Sequence, residues 1–362
     1  MENIINYAQR QLKTFEEEPL NRVDSLILSW MSYLRIPVQE KNARTIRGVL
    51  LKNLYKAEYF DELFHNVYSE EQARQLFYIL CSSPRFRNIK ILKYTQQLSE
   101  TQEKQFSAMT LQLNKNTYFL SFRGTDSTII GWKEDFNMIF ESPVPSQLAA
   151  EKYTRQIMKY TKGNLYLGGH SKGGNLAVYA GAQCDNERIK AIYTHDGPGF
   201  LPEILEQENF KNIVPKITKI VPQSSIFGMI LEANANATII QSSRKSLWQH
   251  DPFSWEIQGT DFVYLDELTI DSKYFNTAFQ NWMKGITSEQ REQFIDQWYE
   301  VIQSTNAQTT GELQENWLSL IKAIADIDDE TKDFIFKITK TILSIGIKTV
   351  PKMMMTPKNE AE

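Results

Sequence analysis

Residues Gly169-His170-Ser171-Lys172-Gly173 form a G-x-S-x-G pentad between an expected strand and an expected helix, and no other stretch of the chain constrains its fold as tightly. A serine on a tight strand-to-helix turn takes strained backbone angles and projects its hydroxyl outward. The flanking positions must lack side chains, which would strike the neighbouring strand and helix. The helix that follows points its first amides at the same spot, where negative charge develops during acyl transfer. Such a turn needs strands and helices alternating around it, and the hydrophobic periodicity supplies them. It predicts a helix over about 146–160, a strand at 164–167, a helix over about 174–183 and a strand at 189–194. Further strands are predicted at 217–221 and 237–241. Strands separated by helices of this length imply an α/β architecture, a mostly parallel sheet with helices on both faces.

Upstream, 23–34 carries apolar residues at helical spacing and 55–80 also reads as helical, ended by Ser82-Ser83-Pro84. Extended segments follow at 89–94, 108–113 and 117–122, the last two joined by Asn114-Lys115-Asn116 as hairpin punctuation. Beyond about 272 strand signals cease. Helices are predicted over 273–284, 287–304 and 311–349, with Trp282, Trp298 and Trp317 as packing anchors. The expected organisation is an α/β domain over 1–270, its N-terminal part (about 1–80) helical, and a C-terminal helical module over 271–362.

Composition narrows the function classes. Forty basic against 44 acidic residues give a net charge of −4, without the concentrated positive surface that a phosphate backbone requires, so no nucleic-acid partner is expected. Two cysteines, Cys81 and Cys184, exclude a disulfide framework and a four-cysteine zinc site. Nothing points to a metal or organic cofactor. Met1-Glu2-Asn3-Ile4-Ile5 lacks the basic segment and long apolar run of a signal peptide, so a cytoplasmic address is the expectation.

Ser171 is the expected nucleophile. With 16 glycines in the chain, a chance match to the pentad has a probability on the order of a few per cent, and the strand-before, helix-after context lowers it further. A P-loop is excluded because no G-x-x-x-x-G-K-[ST] is present. A second signal lies at Ser121-Phe122-Arg123-Gly124-Thr125-Asp126, where an expected strand runs into a glycine turn. Such a loop can set the Thr125 amide beside the amide of Lys172 as the two donors of an oxyanion hole. Arg123 and Asp135 read as a buried ion pair fixing that loop.

A serine needs a base to take its proton and an acid to orient the base. Of the four histidines, His65 lies far upstream, and His170 adjoins Ser171 with its side chain expected to point away from the hydroxyl. His195 reads as structural. His250 follows the last expected sheet strand, in the aromatic segment Trp248-Gln249-His250-Asp251-Pro252-Phe253-Ser254-Trp255, and is the expected base. Asp196 follows the strand at 189–194, on the edge where such sheets gather their sites, and is the expected acid, with a turn-capping role before Gly197 as the competing reading. Asp251 and Asp261 are weaker candidates. The loop after the next strand, Pro222-Gln223-Ser224-Ser225, offers no carboxylate.

At these residues the sequence resembles the class 3 lipases, and more closely a bacterial family of lipase-like α/β-hydrolases filed as a domain of unknown function. The resembling stretches are 23–34, 105–136, 167–177, 195–200 and 249–255, spread over about 20–265. The resemblance implies an α/β-hydrolase fold and a serine hydrolase, with Ser171 at the nucleophile position, Thr125 at the oxyanion position and His250 at that of the base. Two departures stand out. Class 3 lipases carry the acid on the strand after the one ending in Asp196, where this chain has Ser224-Ser225, so Asp196 resembles the placement in pancreatic-type lipases. Lys172 also replaces the leucine or glutamine common after the lipase serine.

The expected function is hydrolysis of carboxylic esters, of small-molecule or lipid kind, through an acyl-enzyme on Ser171. The alternative is a hydrolase fold used as a binding or regulatory module. Residues 332–352 interleave five lysines with apolar residues. Two readings are open there: a basic amphipathic helix on an anionic membrane surface, giving a peripheral location, or an apolar face packed on the core with a solvated lysine face.

Overall fold

The structure, a computed structural model, describes residues 2–231 and 236–315. The membrane-surface reading of 332–352, Trp317 and most of the helix expected over 311–349 lie outside the described residues.

Two short helices, α1 (Ile4–Arg10) and α2 (Arg22–Trp30), open the chain. A capping box starts α2: the Asn21 side chain accepts from the Asp24 amide, while Asp24 accepts from the Asn21 amide at 3.0 Å. The expected helix over 55–80 is interrupted. Only α3 (Phe60–Leu63) and α4 (Glu70–Ser82) form, because Asn66 and Ser69 take left-handed angles between them, φ 58° and 53°. Strand β1 (Val49–Leu50) precedes them. After them β2 (Lys90–Ser99), β3 (Lys104–Asn114) and β4 (Thr117–Phe122) make an antiparallel meander. The hairpin between β3 and β4 turns where Asn114-Lys115-Asn116 predicted it, with the Asn116 amide donating to the Asn114 side chain at 3.0 Å.

From there the chain alternates: α5 (Ile129–Asn137), α6 (Pro145–Tyr160), β5 (Asn164–His170), α7 (Lys172–Cys184), β6 (Ile189–His195), α8 (Pro202–Leu205), α9 (Glu208–Ile213), β7 (Ile217–Pro222) and β8 (Ala237–Ile240). β4 to β8 are parallel. A small ribbon of β9 (Ile257–Gln258) and β10 (Asp261–Phe262) follows, and β11 (Tyr264–Leu265) closes the sheet antiparallel to β8. The order is β1-β2-β3-β4-β5-β6-β7-β8-β11, a mostly parallel central sheet flanked by helices, of α/β-hydrolase-like type.

Side chains alternate across this sheet and feed two cores. Phe119 joins the one under α1, α2 and α4, whereas Leu120, Leu165 and Leu167 join the one under α6 and α7. Each such fully buried Leu or Phe contributes roughly 1.5–3 kcal/mol.

Helices α10 (Ile270–Gly285), α11 (Ser288–Gln303) and α12 (Thr310–Glu315) complete the described chain. The compact units divide within α11: the first takes Met1–Asp126 and Ile130–Ile295, the second Ser127–Ile129 and Asp296 onward. The sequence reading set its boundary at 270/271, where strand signals end. The difference arises because Phe279, Trp282, Met283, Phe294 and Ile295 pack on the second core and so tie α10 and half of α11 to the sheet. Among the described residues no helix is long and apolar enough to cross a membrane.

Candidate active site

β5 and β6 pair with His170 opposite His195, so the next residues, Ser171 and Asp196, leave the sheet side by side at its C-terminal edge. Ser171 has φ 58° and ψ −135°, an unfavourable conformation for a side-chain-bearing residue. Two hydrogen bonds hold it: its amide donates to the His195 carbonyl at 2.9 Å, and its carbonyl accepts from the Gly174 amide at 2.9 Å. The two glycines of the pentad are sterically required. A Cβ on Gly169 would stand 2.1 Å from the carbonyl carbon of Gly173, and one on Gly173 would stand 2.1 Å from the carbonyl oxygen of Phe122. The end of β4 therefore abuts the serine turn.

Asp196, at φ 51°, is anchored by its amide to the Ile220 carbonyl at 2.8 Å, and its side chain is 1% exposed. Its Oδ2 lies 2.7 Å from His250 Nδ1. Its Oδ1 accepts from Ser225 Oγ at 2.5 Å and from the Gly228 amide at 3.1 Å. A carboxylate offers only acceptors, so the proton between Asp196 and His250 sits on Nδ1 and the lone pair is left on Nε2.

His250 ends a 3₁₀ turn, Ser246–His250, beyond β8. Its ring neighbours those of His170 and Phe227, each with its centroid 4.4 Å away. The backbone is pinned as well. The His250 carbonyl accepts from His170 Nε2 at 2.7 Å, and His170 Nδ1 faces the Tyr33 hydroxyl at 3.0 Å. A carbonyl only accepts, so Nε2 carries the proton: the His250 carbonyl fixes the tautomer of His170, and the Tyr33 hydroxyl donates to Nδ1. Burial, followed by the nearness of His250, holds the His170 pKa well below the usual histidine value.

The remaining candidates are engaged elsewhere. Asp251 accepts from Ser69 at 2.8 Å and pairs with Arg244 at 2.6 Å, and Asp261 faces Arg22 at 3.5 Å. His195 Nε2 meets Ser25 Oγ at 3.0 Å inside the protein, and burial depresses its pKa to about 3. His65 is exposed in the turn after α3. Among the described residues no group of three or more His, Cys, Asp or Glu side chains is gathered as a metal would require.

The loop after β4 departs from expectation in its ion pairs. Arg123 pairs with Asp126 at 3.3 Å, not with Asp135. The two lie three residues apart in one loop, whereas Asp135 sits on α5 facing the serine turn. There Thr125 Oγ1 donates to Asp135 Oδ2, and the Lys172 ammonium stands 3.3 Å from Oδ1. Lys172 is the first residue of α7, where backbone amides have no intrahelical acceptor. Its side chain is fully buried, with Nζ 3.1 Å from Glu134 Oε2. Glu134 further accepts from the Gln105 amide (2.9 Å), the Ser146 amide (2.7 Å) and Ser146 Oγ (2.8 Å).

Sequence reasoning missed this network, the Tyr33–His170 anchor and Ser225. The available signal for the first was a lysine directly after the expected nucleophile together with an adjacent Glu-Asp pair in the helix after the expected oxyanion loop.

A family model described as Mbeg1-like matches residues 80–300, more than half of the chain. No curated protein matches the sequence. Among solved structures, lipase II from Rhizopus niveus is 19% identical with a TM-score of 0.34, over 46% of this chain and 70% of that one. The Rhizomucor miehei lipase propeptide complex is 18% identical with a TM-score of 0.33, over 54% and 70%. Lip2 lipase from Yarrowia lipolytica is 13% identical with a TM-score of 0.31, over 43% and 67%.

Proposed function

The chain belongs to the Mbeg1-like family, and from that premise we propose that it is a serine hydrolase of carboxylic esters acting through an acyl-enzyme on Ser171. One observation carries the reading: a serine held in a strained strand-to-helix turn shares a sheet edge with a buried carboxylate that grips an imidazole by Nδ1. In the proposed reaction Ser171 Oγ attacks the ester carbonyl carbon while His250 Nε2 takes its proton. Asp196 keeps the imidazole in the required tautomer and stabilises the imidazolium. The amides of Thr125 and Lys172 receive the oxyanion. Collapse breaks the ester C–O bond, and His250 returns the proton to the departing alcohol. Water, deprotonated by His250, then attacks the acyl-enzyme; the bond from the acyl carbon to Ser171 Oγ breaks, Oγ takes the proton back from His250, and the acid is freed.

The absence of a carboxylate at Ser224-Ser225 motivates the non-catalytic alternative. The Ser225 hydroxyl on Asp196 weakens that motive, because the loop after β7 still serves the acid, as a hydrogen-bond donor. The test is labelling by a fluorophosphonate probe, beside turnover of a p-nitrophenyl ester chain-length series. Wild type is expected to be labelled at Ser171 and to cleave esters of the series, and Ser171→Ala to do neither. Folded wild-type protein that resists the probe would falsify the assignment.

A further inference from the structure

Lys172 is an anomaly on physical grounds. A lysine side chain is seldom taken wholly out of water, and here the ammonium sits between two carboxylates, Glu134 at 3.1 Å and Asp135 at 3.3 Å. One ammonium facing two carboxylates leaves one negative charge in excess. Glu134 carries three further hydrogen bonds, two from backbone amides. Burial raises the pKa of Asp135, opposed by the Lys172 ammonium and by the hydrogen bond from Thr125 Oγ1.

The chain of contacts runs from the residue after the nucleophile, through the acid pair on α5, to the side chain of the residue whose amide is the second oxyanion donor. It thus ties together the two backbone segments that must stand at a fixed spacing for both amides to reach one oxygen. We propose that Lys172 is a positioning residue. Its buried ammonium, through Glu134 and Asp135, latches the Thr125 hydroxyl so that the Thr125 amide is held at the oxyanion site. The inference rests on the hydrolase reading above.

An oxyanion donor aimed in advance acts on the transition state more than on the bound ester, so loosening the latch lowers kcat and leaves KM nearly unchanged. Deleting such a donor costs ~10²–10³-fold in turnover, and a donor that remains but wanders loses part of that, roughly 10–100-fold.

The experiment is a double-mutant cycle of Lys172→Met and Thr125→Val, the latter keeping shape and amide while removing the latched hydroxyl. Ester kinetics and circular-dichroism melts are run beside fluorophosphonate labelling. Each single variant is expected to fold, to keep KM within about twofold, and to lose kcat by the factor above. The double variant should lose little more than the worse single, because both break one latch. Thr125→Ser, which retains the hydroxyl, should recover most of the turnover. If Lys172→Met fails to fold, Lys172→Met/Asp135→Leu replaces it: that pair keeps the same excess charge, leaves Glu134 its three other donors and removes the acceptor of the Thr125 hydroxyl, so the latch is expected to be lost. Full kcat in Thr125→Val, full kcat in the lysine variant used, or losses that multiply in the double would overturn the proposal. Wild type that is neither labelled nor active would instead sink the hydrolase reading, so the two failures are distinct.

Discussion

Replacing Asp196 by Asn exchanges one carboxylate oxygen for an amide nitrogen at nearly constant shape, and the surroundings dictate which one. Oδ1 faces two donors, Ser225 Oγ at 2.5 Å and the Gly228 amide at 3.1 Å, so an NH₂ there would oppose two hydrogens. The amide oxygen must take that side. The NH₂ then occupies the Oδ2 position, 2.7 Å from His250 Nδ1. A donor there requires Nδ1 to accept, which moves the ring proton to Nε2. A ring protonated at Nε2 has no lone pair for the serine proton. Wrong-tautomer substitutions of this kind cost ~10⁴-fold in turnover, about 5.5 kcal/mol in the barrier. The assay is stopped-flow acylation with a p-nitrophenyl ester, beside a thermal melt showing that the Asp196→Asn variant is folded. Turnover within about tenfold of wild type would refute the argument and leave Asp196 as a turn cap.

Two further outcomes concern stability. Arg85 binds Asp24 through Nε at 2.9 Å and through Nη2 at 2.5 Å with both side chains fully buried, so Arg85→Met should cost about 3–5 kcal/mol in urea unfolding, and a loss under ~1 kcal/mol would show the pair to be dispensable. His195, whose Nδ1 has no hydrogen-bond partner among the described residues, is held by burial at a pKa of about 3 against an unfolded value near 6.5. The unfolded chain therefore binds the extra proton between those values, and stability falls as pH falls through that window by about 1.4 kcal/mol per unit; His195→Phe should flatten the decline between pH 6.5 and 5 by about 2 kcal/mol, and an unchanged slope would contradict it.

Much of this architecture is legible one element at a time because its causes are local. Apolar strands alternating with helices announce the parallel half of the sheet, and the steric demand at Gly169 and Gly173 identifies the serine turn. Ser171 and Asp196 are readable for the same reason: each directly follows a recognisable strand. What was missed depends on partners remote in the chain. β2 extends past residue 94 because Lys93, at φ 51°, makes a bulge after which pairing with β3 resumes. Asp135 had several basic residues within sequence reach, and only the fold brings it to Lys172 instead of Arg123.

The departure at Ser224-Ser225 has a geometric account of the same kind. β6 and β7 run in parallel register with His195 beside Ile220, so the loops leaving them rise together from one edge. Asp196, leaving β6, turns at φ 51° with its amide on the Ile220 carbonyl. Its far oxygen then points at the loop after β7, where a second carboxylate would repel it and a short hydroxyl fits. Ser225 supplies that hydroxyl, and the Gly228 amide completes the shell. On this account Ser225 and Gly228 supply the donors that a buried carboxylate oxygen requires, since leaving it without them would cost the desolvation of a charged group.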